Sequence, residues 1–360
     1  MTPPHVLLPF SDDSTLFFAR AMQALLAPLP CRTSLAQLTD AAILSPRQLA
    51  AVLPEGPDRR MPQADLARPQ ALAGVDAVLT SKMFRPLQEM LGDDADDAPL
   101  RPVPRPPQRP VVIAFLPGLN LTPERGFTHR RAADAVFLVP AHDVETYRAH
   151  SRHTGAGPQW VDFGHPSFLR PEAESARPEE DRRDVYFFAQ AISPLTRRSR
   201  MHMLAVLAAL ARRHPDRTVW IKLRHLPGEN ADHVHRETHD YPGLLARLPD
   251  APPNLRLTAC PMAEAAAKAA IGIACTSTAA ADLVQAGVPT QVYLDYPDNY
   301  LDPLMPPMRR LFGGSGLVVT LAELLAGVVR PPDPAWLAGM FCPRDLGDRV
   351  LAAIAAARQG

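Results

Sequence analysis

Short apolar runs alternate with amphipathic helical segments in both halves of the chain, and this alternation constrains the fold more than any other feature. In the first half the apolar runs occur at residues 5–10, 75–81, 111–118, 133–141 and 159–168. In the second half they occur at residues 184–191, 218–224, 254–259, 271–277 and 288–296. Strands that alternate with helices predict parallel sheets. The sequence therefore predicts an α/β protein with one parallel sheet in each half.

A charged stretch without periodicity, RPEAESARPEEDRR at 170–183, separates the two halves and is typical of an interdomain linker. We therefore expect a first Rossmann-like domain at 1–169 and a second at 184–340, with a terminal helix in 341–360. A chain of 360 residues has room for two such domains. Two domains joined in this way predict a cleft between their sheets.

Composition excludes several classes of protein. Lys and Arg together number 38, as do Asp and Glu, so the net charge is zero and a generic nucleic-acid binder is disfavoured. The 4 cysteines form no Cys-x-x-Cys pair, which predicts neither a zinc site nor a disulfide framework. Neither a signal peptide nor an apolar run of about 18 residues is evident. These features predict a cytoplasmic protein with at most peripheral membrane contact.

Polar and cationic residues follow the strand predicted at 218–224. Lys222, Arg224 and His225 occur at its end, and Glu229 follows a Pro-Gly turn. This grouping favours an anionic ligand, and a solvated strand end is the alternative. Strand alternation places Lys222 and Arg224 on one face and His225 on the other, so the three converge only if the strand stops near Arg224. Glu229 either accepts a hydrogen bond from a ribose or is simply a polar loop residue.

A second group of polar residues follows the strand predicted at 271–277. Ser277 and Thr278 precede a helix whose first N–H groups have no partners within the helix and whose N-terminal end is positive. Hydroxyls beside such N–H groups bind phosphate well. The alternative is that Ser277 or Thr278 only caps the helix. Gln190 and Ser193 lie at the end of the strand predicted at 184–191.

Three arginines, Arg197, Arg198 and Arg200, fall in the first turns of the helix after Ser193. The helix dipole disfavours cations at this end. Either an anionic ligand holds some of them there, or they point into solvent.

Candidate bases occur in the first half. Asp12 and Asp13 follow the strand at 5–10, where Ser11 or Asp12 either caps the next helix or faces a ligand. Glu124 follows the strand at 111–118 through a Pro-Gly turn, and His129 is nearby. A carboxylate in this half suits the removal of a proton from an acceptor hydroxyl.

The second half resembles GT-B glycosyltransferases of bacterial surface polysaccharides, specifically the sialyltransferase, polysialyltransferase and Kdo-transferase groups that use CMP-linked sugars. The resemblance covers about residues 184–300. It is carried by Lys222, His225, the Ser277-Thr278 pair and the following LVQAGVP. The chain also resembles a group of uncharacterised bacterial glycosyltransferases through PGLNLTPERGFTHRRAADAVFL. His225 is followed by Leu226 and then Pro, which departs from the His-Pro of the first groups, and their acidic-pair-Gly motif is not evident.

This resemblance implies a GT-B-like fold, in which helix 341–360 crosses back over the cleft. It also implies a metal-independent transferase with a CMP-linked donor and no separate cofactor, acting on a glycan or glycolipid acceptor. Two alternatives are a nucleotide-sugar 2-epimerase and a non-catalytic nucleotide- or glycan-binding protein. His235 and His239 have the spacing of metal ligands on a helix, but no carboxylate or cysteine pattern supports a metal there.

Overall fold

The computed structural model describes residues 2–40, 44, 46–93, 109–117, 123–155, 157–158, 160–171, 182–225, 228 and 237–359, without the side chains of 48 and 123–125. The chain divides into two compact units. The first comprises Met1–Leu169 with Gly339–Gly360, and the second comprises Arg170–Ala338. The first unit holds a seven-stranded sheet and the second a five-stranded sheet, and their strand pairs are parallel. The predicted α/β class with two parallel sheets is confirmed.

The sheet of the first unit has the strand order β3-β2-β1-β4-β5-β6-β7. Its strands are β1 His5–Phe10, β2 Arg32–Leu38, β3 Arg59–Met61, β4 Ala77–Thr80, β5 Val111–Phe115, β6 Ala135–Leu138 and β7 Trp160–Phe163. Its helices are α1 Asp13–Leu26, α2 Pro46–Val52, α3 Arg85–Met90, α4 Pro123–Thr128, α5 His142–Thr154 and, from the end of the chain, α13 Leu346–Gln359.

Both faces of this sheet are covered, which explains why β1, β4, β5 and β6 are buried along their whole length. One face packs against α1, α2 and α13 in a single apolar cluster that includes Met22, Phe115 and Ile354. The opposite face packs against α3, α4 and α5, where the rings of Phe127 and Tyr147 meet edge to face at 4.8 Å. The terminal helix is thus part of the first unit's core.

His165, just after β7, is a buried histidine that the surrounding packing keeps neutral. Its ring is 3% exposed and lies among Phe18, Phe115 and Phe168. Nδ1 accepts from the backbone N of Ser167 at 3.1 Å, so Nε2 carries the proton and donates to the Leu116 carbonyl at 3.0 Å. Burial lowers the pKa of His165 to about 4.

This pKa predicts a loss of stability in acid. The unfolded chain binds a proton at His165 near pH 6.5, whereas the folded chain does so only near pH 4, so the stabilisation is present above pH 6.5 and is lost as the pH falls. We expect His165 to lower the free energy of unfolding of the first unit by about 2 kcal/mol between pH 7.5 and pH 5. Urea unfolding in a Trp220→Phe/Trp336→Phe background measures it, because Trp160 then reports on the first unit. His165→Asn should lack this part of the pH dependence, and an identical pH dependence in the two proteins would contradict the prediction.

The sheet of the second unit has the strand order β10-β9-β8-β11-β12. Its strands are β8 Asp184–Phe188, β9 Val219–Lys222, β10 Leu255–Thr258, β11 Ala269–Ala274 and β12 Thr290–Val292. Its helices are α6 Arg197–Arg213, α7 Tyr241–Leu245, α8 Met262–Lys268, α9 Ala279–Gln285, α10 Met305–Phe312 and α11 Leu321–Leu325, and α12 Pro334–Met340 leads back to the first unit.

Helices also cover the second sheet on both faces. Tyr186 and Phe188 of β8 share an apolar cluster with residues of α8 and α9, while α6 packs on β9 and β10. Gly272 in β11 permits the close approach of α9, because a Cβ at this position would lie 2.5 Å from Cδ1 of Leu283. The start of α9, which follows β11 through a short loop, therefore packs closely on the sheet.

Only β1 has the predicted bounds, and the other nine predicted strands differ, most of them by being shorter. In the second unit, β9 ends at Lys222 rather than Arg224, β11 covers Ala269–Ala274 rather than 271–277, and β12 covers only Thr290–Val292. Strands β2 and β3, whose residues are partly exposed, are not predicted from the sequence. In β11 the shift arises because the backbone becomes extended at Ala269, directly after α8, without an intervening loop.

Candidate functional site

The second unit has a topological switch point between its neighbouring strands β8 and β11. From β8 the chain crosses through α6 to β9 on one side, whereas β11 pairs with β8 on the other side. Ligands of open α/β sheets bind where the strand order reverses, beyond the carboxyl ends of the strands. We call the loops 189–196 and 275–278, which follow β8 and β11, the switch-point edge of the second unit.

Hydroxyl and amide groups from the two loops meet at this edge. Thr276 Oγ1 lies 3.3 Å from Gln190 Oε1 and also within hydrogen-bond reach of Ser193 Oγ. Ser193 in turn donates to Asp302, a carboxylate that is 2% exposed and also accepts from the hydroxyl of Tyr296 at 2.7 Å. The structure thus brings Gln190 and Ser193 together with Thr276, the residue before Ser277. Asp302 and Tyr296 belong to the same network and were not predicted from the sequence.

Ser277 and Thr278 occupy the start of α9. The hydroxyl of Ser277 accepts from the backbone N of Ala279 at 3.2 Å. Thr278 is the residue before the helix, is exposed, and makes no side-chain capping bond. Of the two hydroxyls, that of Thr278 is therefore the one not engaged in helix capping.

Arg200 fixes the backbone of the loop after β8. This buried side chain donates to the carbonyls of Gln190 (3.0 Å), Ala191 (2.6 Å) and Pro194 (2.8 Å) and pairs with the carboxylate of Glu237. Arg200 therefore neither holds an anionic ligand nor points into solvent, and both predicted alternatives are wrong for this residue. The other arginines of the first turn are exposed, and Arg198 pairs with Asp298 at 3.2 Å.

The residues after β9 do not share one environment. Because the strand stops at Lys222, the next residues turn, with Arg224 exposed and His225 buried at 5% exposure. The Lys222 ammonium is half-buried and donates to the Leu223 carbonyl at 3.1 Å. Burial lowers the pKa of Lys222. Glu229 lies outside the described residues.

A carboxylate that the sequence analysis missed faces Lys222 from α9. Burial raises the pKa of Asp282 to about 6, and the positive charge of Lys222 opposes this shift. A carboxyl with a raised pKa beside a lysine with a lowered pKa is typical of a functional site.

In the first unit the corresponding switch point lies between β1 and β4. Asp12 caps α1 by accepting from the backbone N of Thr15 at 2.9 Å, as the capping alternative predicted. Its other oxygen accepts from Ser11 at 3.2 Å and from Lys82 at 3.3 Å. Asp13 lies in the first turn of α1 and accepts from the backbone N of Ser14 at 2.9 Å.

Glu124 belongs to α4, and its side chain lies outside the described part of the structure. The helix itself is anchored by Arg130, which donates to the carbonyls of Ser81 (2.9 Å), Phe115 (2.7 Å) and Gly126 (2.8 Å). Burial lowers the pKa of Arg130 to about 10. Since Ser81 follows β4 and Phe115 ends β5, α4 is held at the carboxyl ends of these strands. His129 follows α4 and is half-buried.

In the ranges given above, no group of three or more His, Cys, Asp or Glu side chains could hold a metal ion. Of the two histidines with metal-ligand spacing, His235 lies outside those ranges and His239 follows Glu237 in a loop. None of the helices within the same ranges combines the length and the apolar character that a bilayer crossing requires.

Solved structures with this fold include sugar-nucleotide enzymes. A "putative UDP-N-acetylglucosamine 2-epimerase" from Listeria monocytogenes superimposes with a TM-score of 0.60 at 12% identity, over 99% of this chain and 97% of the other. The UDP-GlcNAc 2-epimerase of Methanocaldococcus jannaschii, in complex with UDP-GlcNAc and UDP, gives 0.57 at 8% identity, over 98% and 99%. The spinosyn forosaminyltransferase SpnP gives 0.52 at 15% identity, over 99% and 100%. These likenesses establish the GT-B-like fold.

Sequence comparison supplies the family. No curated protein matches the chain. A family model with the description "Putative glycosyltransferase (DUF6716)" matches residues 10–357, nearly the whole chain. The protein belongs to this glycosyltransferase family.

Proposed function

We propose that the protein transfers a sugar from a pyrimidine nucleotide donor, bound at the switch-point edge of the second unit, to a glycan or glycolipid acceptor. The observation that supports it best is the meeting of Gln190, Ser193 and Thr276 at this edge, beside the Ser277-Thr278 turn. Buried Arg200 and Asp302 hold the two loops in place, so the polar groups are positioned before a ligand arrives. The hydroxyls of Ser193 and Thr276 already donate within this network, so their role is to position the turn, and the Thr278 hydroxyl is the donor that we assign to the charge on the leaving phosphate.

Lys222 is the cation that we assign to the donor phosphate. Its ammonium now donates to a main-chain carbonyl, and burial lowers its pKa, so a nearby anion would improve its environment. Asp282 is a carboxylate suited to accept hydrogen bonds from ribose hydroxyls, one of the two alternatives predicted for Glu229. His225 is buried at the same strand end and remains a candidate for stabilising the leaving group.

The donor nucleotide is CMP or UDP in this proposal. The sequence resemblance implies a CMP-linked acidic sugar, such as a sialic acid or Kdo, whereas the M. jannaschii structure carries UDP and UDP-GlcNAc. The two nucleotides share a pyrimidine base, a ribose and at least one phosphate. We further propose that the transferase works without a metal and acts in the cytoplasm, where a surface-glycan acceptor reaches it at the inner membrane face.

Nucleotide binding tests the proposal directly. Titration calorimetry with CMP, UDP and GDP should detect a pyrimidine nucleotide, and its affinity should be unchanged by EDTA. Lys222→Met should weaken this binding by about 10- to 100-fold, because a charge-assisted hydrogen bond to phosphate is lost. Thr278→Ala should weaken it less, since a neutral hydroxyl donates a weaker bond. Lys268→Met is the matched control, because Lys268 is exposed and pairs only with Glu264 among the described residues.

The outcome that would overturn the proposal is the absence of nucleotide binding, or full affinity in Lys222→Met. A 2-epimerase is the second candidate, because two of the solved structures reported above are epimerases. Proton NMR separates the two activities. An epimerase converts UDP-GlcNAc to its 2-epimer without an acceptor, whereas a transferase changes its donor only by hydrolysis until an acceptor is added.

A further inference from the structure

A pocket of about 330 Å³ lies at the amino end of β12, the edge strand of the second sheet. This volume is within the roughly 300–1,000 Å³ that ligand pockets usually occupy. We call it the edge pocket. The switch-point edge follows the carboxyl ends of β8 and β11, so the edge pocket is separate from the proposed donor site. Its walls are mainly apolar and include Val284, Val288, Pro289, Leu317, Val329 and Pro331.

Hydrogen bonds within the fold fix the walls of the edge pocket. Leu317 and Val319 pair with Val292 of β12 through two backbone hydrogen bonds of 2.9 and 3.0 Å. The buried side chain of Gln291, also in β12, donates to the Val328 carbonyl at 2.8 Å and so holds the next residues of the pocket wall. The pocket is therefore formed before a ligand arrives, as is usual for small-molecule sites.

Arg182 places a guanidinium at the wall of the edge pocket. Its Nη1 donates at 2.8 Å to the carbonyl of Gly287, a residue that lines the pocket. Nε and Nη2 of the same side chain are shielded from solvent and have no hydrogen-bond partner among the residues that the structure describes. Buried polar atoms are usually satisfied, so this pair of N–H donors favours an oxyanion ligand. A guanidinium edge of this kind binds a carboxylate or a phosphate through two parallel hydrogen bonds.

Arg330, a second cation of the pocket, is balanced within the fold. Its guanidinium pairs with the carboxylate of Glu323, which also accepts from the backbone N of Thr320 at 2.9 Å. Arg182, by contrast, has no ion pair with an acid in the described ranges of the chain. The guanidinium of Arg182 therefore gives this part of the surface a surplus positive charge.

The apolar wall of the edge pocket reaches the surface at Val329. This side chain lines the pocket and is nevertheless 41% exposed. Apolar surface gains free energy when it leaves water. The walls therefore favour an apolar ligand, whereas Arg182 favours an anion, and one molecule with both properties satisfies the two.

We propose that the edge pocket binds an amphiphilic anion, a single apolar chain that ends in an oxyanion. The chain packs against Val284, Val288 and Val329, and the oxyanion accepts hydrogen bonds from Nε and Nη2 of Arg182. The site needs neither a nucleotide nor an acceptor, so it stands or fails independently of the proposed transferase activity.

Titration calorimetry of the full chain tests this proposal with three probes: octyl phosphate, octyl β-glucoside and inorganic phosphate, the first two below the concentrations at which they form micelles. We expect octyl phosphate to bind saturably, with an affinity at least about ten times that of either other probe, because it alone supplies both a chain and a charge. Arg182→Met should weaken its binding about 10-fold, because a charge-assisted bidentate contact is lost. Arg183→Met is the matched control, since Arg183 is the neighbouring arginine and is exposed.

A second pair of variants locates the apolar chain. Val329→Asp should weaken binding of octyl phosphate about 10-fold, because a carboxylate then faces the chain and repels its anionic head. Val318→Asp is the matched control, because Val318 is 42% exposed and lies outside the pocket lining.

The two control variants should leave the affinity for octyl phosphate unchanged. Equal binding of octyl β-glucoside would reduce the pocket to an apolar crevice and overturn the proposal, and equal binding of inorganic phosphate would reduce it to a simple anion site. No binding of octyl phosphate, full affinity in Arg182→Met or in Val329→Asp, or the same loss in a control variant would also overturn it. Thermal unfolding of each variant verifies that it remains folded.

Discussion

Replacement of Arg200 by methionine is expected to lower the free energy of unfolding of the second unit by about 3–5 kcal/mol. Methionine fills much of the volume but cannot donate a hydrogen bond. The carbonyls of Gln190, Ala191 and Pro194 then lose their donor, and the carboxylate of Glu237 is left buried without its cation. Removal of the cation from a buried ion pair is among the most costly changes that a single substitution can make.

Urea unfolding followed by the fluorescence of Trp220 and Trp336 measures this loss. Arg198→Met is the control, because Arg198 is a neighbouring arginine whose side chain is 76% exposed, and it should change stability by less than about 1 kcal/mol. The double variant Arg200→Met/Glu237→Gln also removes the negative charge of Glu237 and should recover part of the loss. A cost for Arg200→Met no larger than that for Arg198→Met would show that the ion pair does not stabilise the loop.

The second large effect that we expect is a loss of transfer rate when the catalytic base is replaced, and we propose Glu124 as this base. Arg130 anchors α4 at the carboxyl ends of β4 and β5, the edge at which ligands of such sheets collect. Loss of a general base lowers a rate by about 10²-fold or more. We therefore expect Glu124→Gln to reduce the single-turnover rate by at least this factor while the affinity for the donor is retained.

The two aspartates after β1 are the comparison variants for Glu124. Asp12 already accepts hydrogen bonds from Thr15, Ser11 and Lys82, so both of its oxygens are engaged in the fold. Asp12→Asn should stay active and stable, because Asn caps helices as well as Asp, whereas Asp12→Ala should lose about 1 kcal/mol of stability. A large rate loss in Asp13→Asn with a normal rate in Glu124→Gln would move the base to Asp13. Normal rates in all these variants would show that no residue of this set is the base.

The fold class follows from the sequence because the central strands of a parallel sheet are apolar on both faces. Strand β1, HVLLPF, is buried throughout and is recognised at once. Strand β2, RTSLAQL, begins with three polar residues, lacks strict alternation and is partly exposed, so its pattern does not differ from that of a surface segment. The boundary between α8 and β11 falls within an alanine-rich run, AAAKAAIGIA, in which neither helical nor strand periodicity is visible.

The candidate site is predictable only in part. Gln190, Ser193 and Ser277 follow strands directly, so the rule that strand ends collect ligands is enough to place them. Asp302 joins the same network from a loop more than 100 residues after Ser193, and no local pattern reveals such a contact.

The burial of Arg200, in contrast, is predictable from the sequence. It precedes Met203, Leu204 and Leu207 at helical spacing, and all three are buried, so Arg200 lies on the apolar face of α6. Three arginines in the first turn of a helix are therefore best assigned individually, by the face on which each lies.

The packing of α13 into the first unit has a consequence for biosynthesis. During translation the residues of the first sheet leave the ribosome early, but one face of that sheet lacks its last helix until residues 346–359 have been made. The second unit, Arg170–Ala338, is by then available in full. Domains usually fold in the order of their synthesis. Here the unit whose synthesis begins first is completed last, and we expect the sheet face that α13 covers to stay partly uncovered until residues 346–359 have been made.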